Sequence, residues 1–295
     1  MPKLDTAPLT ENGGTLVSGN GEDLLDLSRD DVLAAFRESG ALMFRGFTGG
    51  VESFCSFAER FSTRFRSHGG SNRDKIDGKD TLQTVVAGTE RIGPHSELRY
   101  MPFSPDVLWF YCVRPADEGG ETTLYDGART VEGLKPDSRE AFSAKPLKYS
   151  FTAPPRIWTR FLEVSSVEEA TAKLSGPDPK VPEAEHAFSF DGDMLSLEYT
   201  IPAFTRPRSG GEPVYAGSIA RGYEHDRVAC AFADGTPIPD ELRQDIIDAA
   251  ERVEIAIPWR PGDVVMVDNS RVMHGRRPFT GNREIYTRFA YANFD

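Results

Sequence analysis

Pro94-His95-Ser96-Glu97-Leu98-Arg99-Tyr100 is the stretch from which the rest of the chain is read. Gly93-Pro94 stands just ahead of it, which favours an extended segment over a helix. On a strand, residues two apart face the same side, so His95 and Glu97 can reach one ion while Ser96 faces away. On a helix the same spacing would turn the two side chains about 200° apart. Far along the chain, the apolar run Val264 to Asp268 reads as a strand, Asn269-Ser270-Arg271 as a turn, and His274 follows. Two imidazoles and one carboxylate are the set that holds non-heme Fe(II) on one face and leaves its other positions open. Open positions are what oxygen chemistry needs, because O2 and a co-substrate must both reach the metal.

A His-x-Glu spacing alone is a weak signal, and context supplies the weight. The chain has five histidines. Only His95 has an acidic residue two positions later, and only His274 follows an apolar strand. Asp226 is adjacent to His225, and strand neighbours face opposite sides; His186 lies in an acidic stretch; His68 precedes Gly69-Gly70. These three read as surface or lid residues.

Around this centre the pattern is mainly β with flanking helices. Arg29 to Ser39 reads as a helix, with Ser28 as N-cap and Gly40 as its stop. Ala41 to Phe47 reads as a strand, and about Val51 to Arg64 as a second helix with Phe54, Phe57, Phe61 and Phe65 on one stripe. From Thr81 onward short apolar or alternating runs take over. Thr81 to Ala87, Val107 to Val113, Glu254 to Ile257, Val264 to Asp268 and Glu284 to Asn293 are the clearest strands. One more amphipathic helix spans Asp240 to Val253. A sandwich or barrel decorated by helices follows, in a single domain over residues 1–295. About 154–227 is rich in Pro, Gly, Glu and Arg without sustained periodicity, the pattern of a lid or insert.

Composition excludes other classes. A net charge of −12 and a pI near 5.0 argue against binding a phosphate backbone. No run approaches the about 18 apolar residues of a membrane span, and residues 1–20 lack a signal-peptide pattern, so a cytoplasmic protein is expected. Cys55, Cys112 and Cys230 are odd in number and far apart, with neither a zinc spacing nor a disulfide framework. Cys112 lies in an apolar run and reads as a small buried hydrophobe.

The run 94–100, then Pro105, Phe110-Tyr111-Cys112 and Gly119-Gly120-Glu121-Thr122, resembles the TauD/TfdA family of Fe(II)/2-oxoglutarate-dependent dioxygenases. Asn269-Ser270-Arg271-Val272-Met273-His274-Gly275-Arg276 and the later Arg288 are similar to that family's second half. The resemblance implies a double-stranded β-helix (jelly-roll) core, with His95, Glu97 and His274 as iron ligands. It implies that Arg288 pairs with the distal carboxylate of 2-oxoglutarate and that the Thr122 hydroxyl assists. A planar guanidinium between apolar strand neighbours suits that task, and its burial calls for a bound anion or an internal acid. Arg283 is a weaker co-substrate candidate, expected to be solvent-exposed.

Glu97, where many relatives have Asp, resembles the clavaminate-synthase-like and SyrP-like branch and shifts the expected substrate toward amino acids and their derivatives. Related halogenases carry a small residue here to admit chloride, so Glu97 implies hydroxylation, with succinate and CO2 as co-products. Desaturation, cyclisation or epoxidation by the same chemistry is the alternative, followed by a non-catalytic metal-binding jelly roll. Arg99, Tyr100, Arg206 and Arg208, with Arg129 and Arg221 behind them, are the candidates for binding a zwitterionic or anionic substrate, free or tethered to a carrier protein.

Overall fold

The computed structural model describes residues 4–67, 73–76, 79–219 and 228–294. His68, Arg221, Tyr223 and His225 therefore lie outside the described residues. In chain order the strands are β1 (Thr6–Thr10), β2 (Gly13–Ser18), β3 (Ala41–Arg45), β4 (Ser62–Arg66), β5 (Lys79–Thr84), β6 (Ile92–His95), β7 (Val107–Arg114) and β8 (Thr122–Asp126). They continue with β9 (Leu147–Ala153), β10 (Glu185–Asp191), β11 (Met194–Ile201), β12 (Val228–Phe232), β13 (Glu254–Ile257), β14 (Val264–Asp268), β15 (Val272–Arg276) and β16 (Glu284–Ala292). The helices are α1 (Arg29–Ser39), α2 (Gly50–Glu59), α3 (Gly127–Glu132), α4 (Pro136–Ala144), α5 (Pro155–Leu162), α6 (Val167–Leu174) and α7 (Asp240–Arg252).

The larger sheet runs β1-β2-β3-β14-β7-β16-β5, with β4 also paired to β16. Facing it is the antiparallel sheet β13-β8-β15-β6. Period-two alternation divides the apolar residues of the large sheet between two cores. Val265, Val267, Leu108, Phe110 and Cys112 point inward and meet Leu124, Ile255 and Val272 of the facing sheet. Val264, Met266, Trp109 and Tyr111 point the other way and pack on Val32, Phe36, Phe54 and Phe57 of α1 and α2. Two largely antiparallel layers, with α1 and α2 against the larger and α3 and α7 against the smaller, form the jelly-roll core. No helix of the described residues is long and apolar enough to cross a membrane.

Helix α1 ends where its caps dictate. The Ser28 hydroxyl accepts the Asp31 N–H, and Gly40 takes the left-handed conformation with φ 68°. The second expected helix is shorter than its stripe implied. It stops at Glu59, and Ser62–Arg66 is instead β4, pairing with Phe289 to Ala292 of β16. Pairing with an existing strand outweighed the helical spacing of Phe61 and Phe65.

The segment expected to be irregular has regular structure up to Ile201 and is largely without helix or strand over described residues 202–219. Its strands join β9 and β12, which flank it. Strands β9, β10, β11 and β12 make an antiparallel sheet of order β10-β11-β9-β12, and α5 and α6 pack beneath it. Along β10 burial alternates between exposed and half-buried residues, so the strand carries little apolar signal of its own.

Candidate metal centre

His95 is the last residue of edge strand β6, and His274 sits opposite it at the same register point of β15. Glu97 is not on the strand as expected. The chain leaves the ladder at Ser96, and the Glu97 N–H bonds the Asn269 side-chain oxygen at 2.7 Å instead. Leu98 follows with φ 55°, turning the chain away. Asn269 is 1% exposed, and its Nδ2 donates to the carbonyls of Glu97 and Pro105, each at 2.9 Å. One side chain on the turn after β14 thus fixes the carboxylate-bearing turn after β6.

One ligand atom from each of His95, Glu97 and His274 lies within 4.8 Å of the others, and all three residues are buried. His274 Nε2 is 3.9 Å from Glu97 Oε2, and the imidazole centroids are 4.2 Å apart. His95 Nδ1 is 2.9 Å from the Gly93 carbonyl oxygen. A carbonyl only accepts, so Nδ1 carries the proton and Nε2 keeps its lone pair for a metal. Ser96, already off the strand, is tied through its main chain: its N–H binds the Gly217 carbonyl and its carbonyl accepts the Ser218 hydroxyl. Two imidazoles and a carboxylate that is 1% exposed fit a divalent cation, which offsets the cost of burying the negative charge. The N,N,O set with an open side is the donor set suited to Fe(II).

These residues line a cavity of about 40 Å3 with Phe110, Phe289 and Thr122. An adjoining cavity of about 310 Å3 shares Val85, Val86, Arg276 and Arg283 with it. Arg283 is half-buried rather than exposed, against expectation. Its Nε donates to the Gly120 carbonyl at 2.7 Å and its Nη2 to the Thr122 hydroxyl at 3.1 Å. Burial, with the Arg276 charge nearby, pushes its guanidinium down to about 10. Thr122 also receives the Trp259 indole N–H at 3.1 Å, so its hydroxyl is fixed at the cavity wall.

Arg288 is not brought to the cavity. Ile285 and Phe289 of β16 belong to the inner core and Tyr286 and Ala290 pack toward the helices, which puts Arg288 on the helix side. There it donates to the Cys55 carbonyl at 3.0 Å and to Glu59 Oε1 at 3.2 Å, and covers the Phe65 ring at 3.5 Å. Its charge is met by Glu59, an exposed carboxylate at the end of α2 rather than an internal acid.

The substrate candidates also lie elsewhere. Arg99 donates to Thr205, Arg206 to the Gly211 carbonyl, Arg208 to the Phe294 carbonyl, and Tyr100 packs among apolar residues of the insert. Arg129 is bonded to the Glu11 carbonyl at the surface. Arg73 also enters the metal cavity, beside Arg276 and Arg283, and stands 3.6 Å from Glu97 Oε2 and above the Phe289 ring at 5.2 Å. No spacing rule pointed to it, because it lies in a polar run without periodicity.

The family model "Taurine catabolism dioxygenase TauD, TfdA family" matches residues 5–289. A clavaminate synthase-like protein of Arabidopsis thaliana is 26% identical over 270 residues, spanning 84% of this chain and 80% of its own. The dapdiamide synthesis protein DdaC of Enterobacter agglomerans is 25% identical over 279 residues, spanning 87% and 82%. The solved structure of PvcB from Pseudomonas aeruginosa, described as an Fe, alpha-ketoglutarate dependent oxygenase from an isonitrile synthetic pathway, superposes with a TM-score of 0.60 at 14% identity, covering 98% of this chain and 92% of that one.

Proposed function

This chain belongs to the TauD/TfdA family of dioxygenases, and on that premise we propose that it hydroxylates an unactivated C–H bond of an amino acid or amino-acid-derived small molecule. The enzyme is a 2-oxoglutarate-dependent dioxygenase, with iron as its metal and 2-oxoglutarate and O2 as co-substrates. Bound iron would supply the coupling of 2-oxoglutarate decarboxylation to C–H oxidation, with one atom of O2 entering succinate, the other entering the substrate as hydroxyl, and CO2 leaving.

The convergence of His95, Glu97 and His274 in one buried pocket carries the assignment of these three as iron ligands. His95 presents Nε2 because Gly93 holds its other nitrogen, and Asn269 holds the Glu97 backbone in place. Arg283 and Thr122 are assigned to the distal carboxylate of 2-oxoglutarate, since this cation and hydroxyl meet at the cavity wall. Phe110 and Phe289 keep water from the reacting atoms. Arg73 is placed to pair with a carboxylate of the substrate. Two similar proteins bear names tied to small-molecule synthesis, which supports a role in specialised metabolism.

Anaerobic addition of Fe(II) and 2-oxoglutarate should produce a charge-transfer band in the visible. A panel of amino acids and derivatives should then contain a compound that stimulates succinate formation and gains one oxygen. Absence of both the band and any stimulated succinate would sink the proposal. A product that instead loses two hydrogens would replace hydroxylation by desaturation.

A further inference from the structure

Two residues past Glu97 the chain has turned away from the metal, and Arg99 enters a separate cavity of about 330 Å3. None of the residues lining this cavity lines the metal cavity. Arg99, Lys180, Arg206 and Arg208 face Asp106 and Glu183 here, four cations to two carboxylates in a chain of net charge −12.

Asp106 is already committed. Lys180 Nζ stands 2.8 Å and Arg208 Nη1 3.8 Å from its Oδ1, and its Oδ2 accepts the Ala292 N–H at 3.0 Å. Arg99 has no comparable partner. It is 6% exposed and donates to the neutral Thr205 hydroxyl at 2.9 Å, with no carboxylate of the described residues within 4.0 Å. Arg208 Nε is likewise buried without a hydrogen-bond partner among the described residues. A buried guanidinium without a carboxylate in ion-pair contact is costly unless an anion completes it, and its fork matches the oxygens of a carboxylate or phosphate.

We propose that this cavity binds a small dianion, a phosphate monoester or a dicarboxylate, held by Arg99 at its floor and by Arg206 and Arg208 toward its mouth. The lining carries four cations to two carboxylates, an excess that favours an anionic ligand with oxygens at both ends. The bound anion also stiffens the turn that carries Glu97. Asn269 donates to the carbonyls of both Glu97 and Pro105, and the neighbouring Ser270 hydroxyl accepts the Arg208 N–H at 2.9 Å. Pro105 and Ser270 line this second cavity, so one buried hydrogen-bond cluster forms the wall between the two sites.

The test is calorimetric titration of inorganic phosphate and, separately, malonate into the full-length chain. One saturable site for at least one of them is expected. Phosphate alone would identify the phosphate monoester and malonate alone the dicarboxylate. Arg99→Met should weaken binding at least about tenfold, the loss of a charge-assisted hydrogen-bond pair. Arg206→Gln, at an exposed position, should weaken it several-fold. Arg283→Met should leave it within about twofold, because that residue belongs to the metal cavity. No saturable heat with either anion overturns the proposal, as does binding abolished by Arg283→Met and untouched by Arg99→Met. Neither result depends on whether iron or 2-oxoglutarate binds, so a failure here leaves the dioxygenase assignment standing.

Discussion

Two arginines five positions apart divide the roles that spacing alone would give to one. Counting from His274 points to Arg288, yet strand parity turns it toward Glu59 and leaves Arg283 facing Thr122. Arg283→Met is therefore expected to raise the 2-oxoglutarate concentration for half-maximal rate by about 10- to 100-fold. Arg288→Met should leave that value within about twofold and instead cost about 1–3 kcal/mol of stability, through its lost bonds to Cys55 and Glu59. Succinate formation against 2-oxoglutarate concentration, with urea unfolding of both variants, separates the two. The opposite pattern would restore Arg288 to the co-substrate. Asn269→Ala makes a second residue-scale test. It removes the support of Glu97 without touching a ligand, and iron affinity should fall about 10- to 100-fold in a metal titration. The residues meant to meet at the metal were legible because their chemistry is rare in the chain. Arg73 was not, and Arg283 was legible only as a weaker, exposed candidate, since the face an arginine takes on or beside a strand depends on register irregularities such as that between Glu284 and Ile285.

At the scale of elements, caps and close approaches govern. Ser28→Ala should cost about 1 kcal/mol in chemical denaturation, by releasing the Asp31 N–H at the start of α1. Gly275 is tighter: a Cβ there would lie 2.5 Å from the Ile92 carbonyl oxygen and 2.9 Å from the Thr123 hydroxyl oxygen. Gly275→Ala must push β6 from β15 and with it separate His95 from His274. Loss of stoichiometric iron binding, with the far-ultraviolet circular dichroism retained, is the expected result; unchanged iron content would show that the strands absorb the methyl group. Helices α1 and α7 and strands β13 and β14 were readable almost to the residue, since their caps or continuous apolar runs belong to the local sequence. Strands β4 and β10 were not. Each is half-exposed and exists because a longer partner strand lies alongside, information held elsewhere in the chain.

Over the whole molecule, burial of thiols and phenols sets the tolerance to alkali. Burial pushes Cys112, Tyr125 and Cys230 up to about 12, and Tyr149, Tyr199 and Tyr215 are also raised by it. In the unfolded chain thiols ionise near 9.0 and phenols near 10.0. Between about pH 9 and 12 the unfolded state thus releases protons that the native state keeps, and stability falls as pH rises. Urea midpoints flat to about pH 8.5 and declining above it are expected; a flat profile to pH 11 would mean that these groups ionise freely in the native state. One feature reaches past stability. Strand β6 is the free edge of its sheet, and His95 and His274 stand directly across its one ladder. An ion gripped from both sides acts there as a rivet, so demetallation would unzip the border of the sheet before the interior yields. Amides of Ile92 to His95 should exchange faster in iron-stripped protein, and proteases should nick it nearby first. Starvation for iron would then shorten the lifetime of the polypeptide as well as silence it, tying the abundance of the catalyst to supply of its metal.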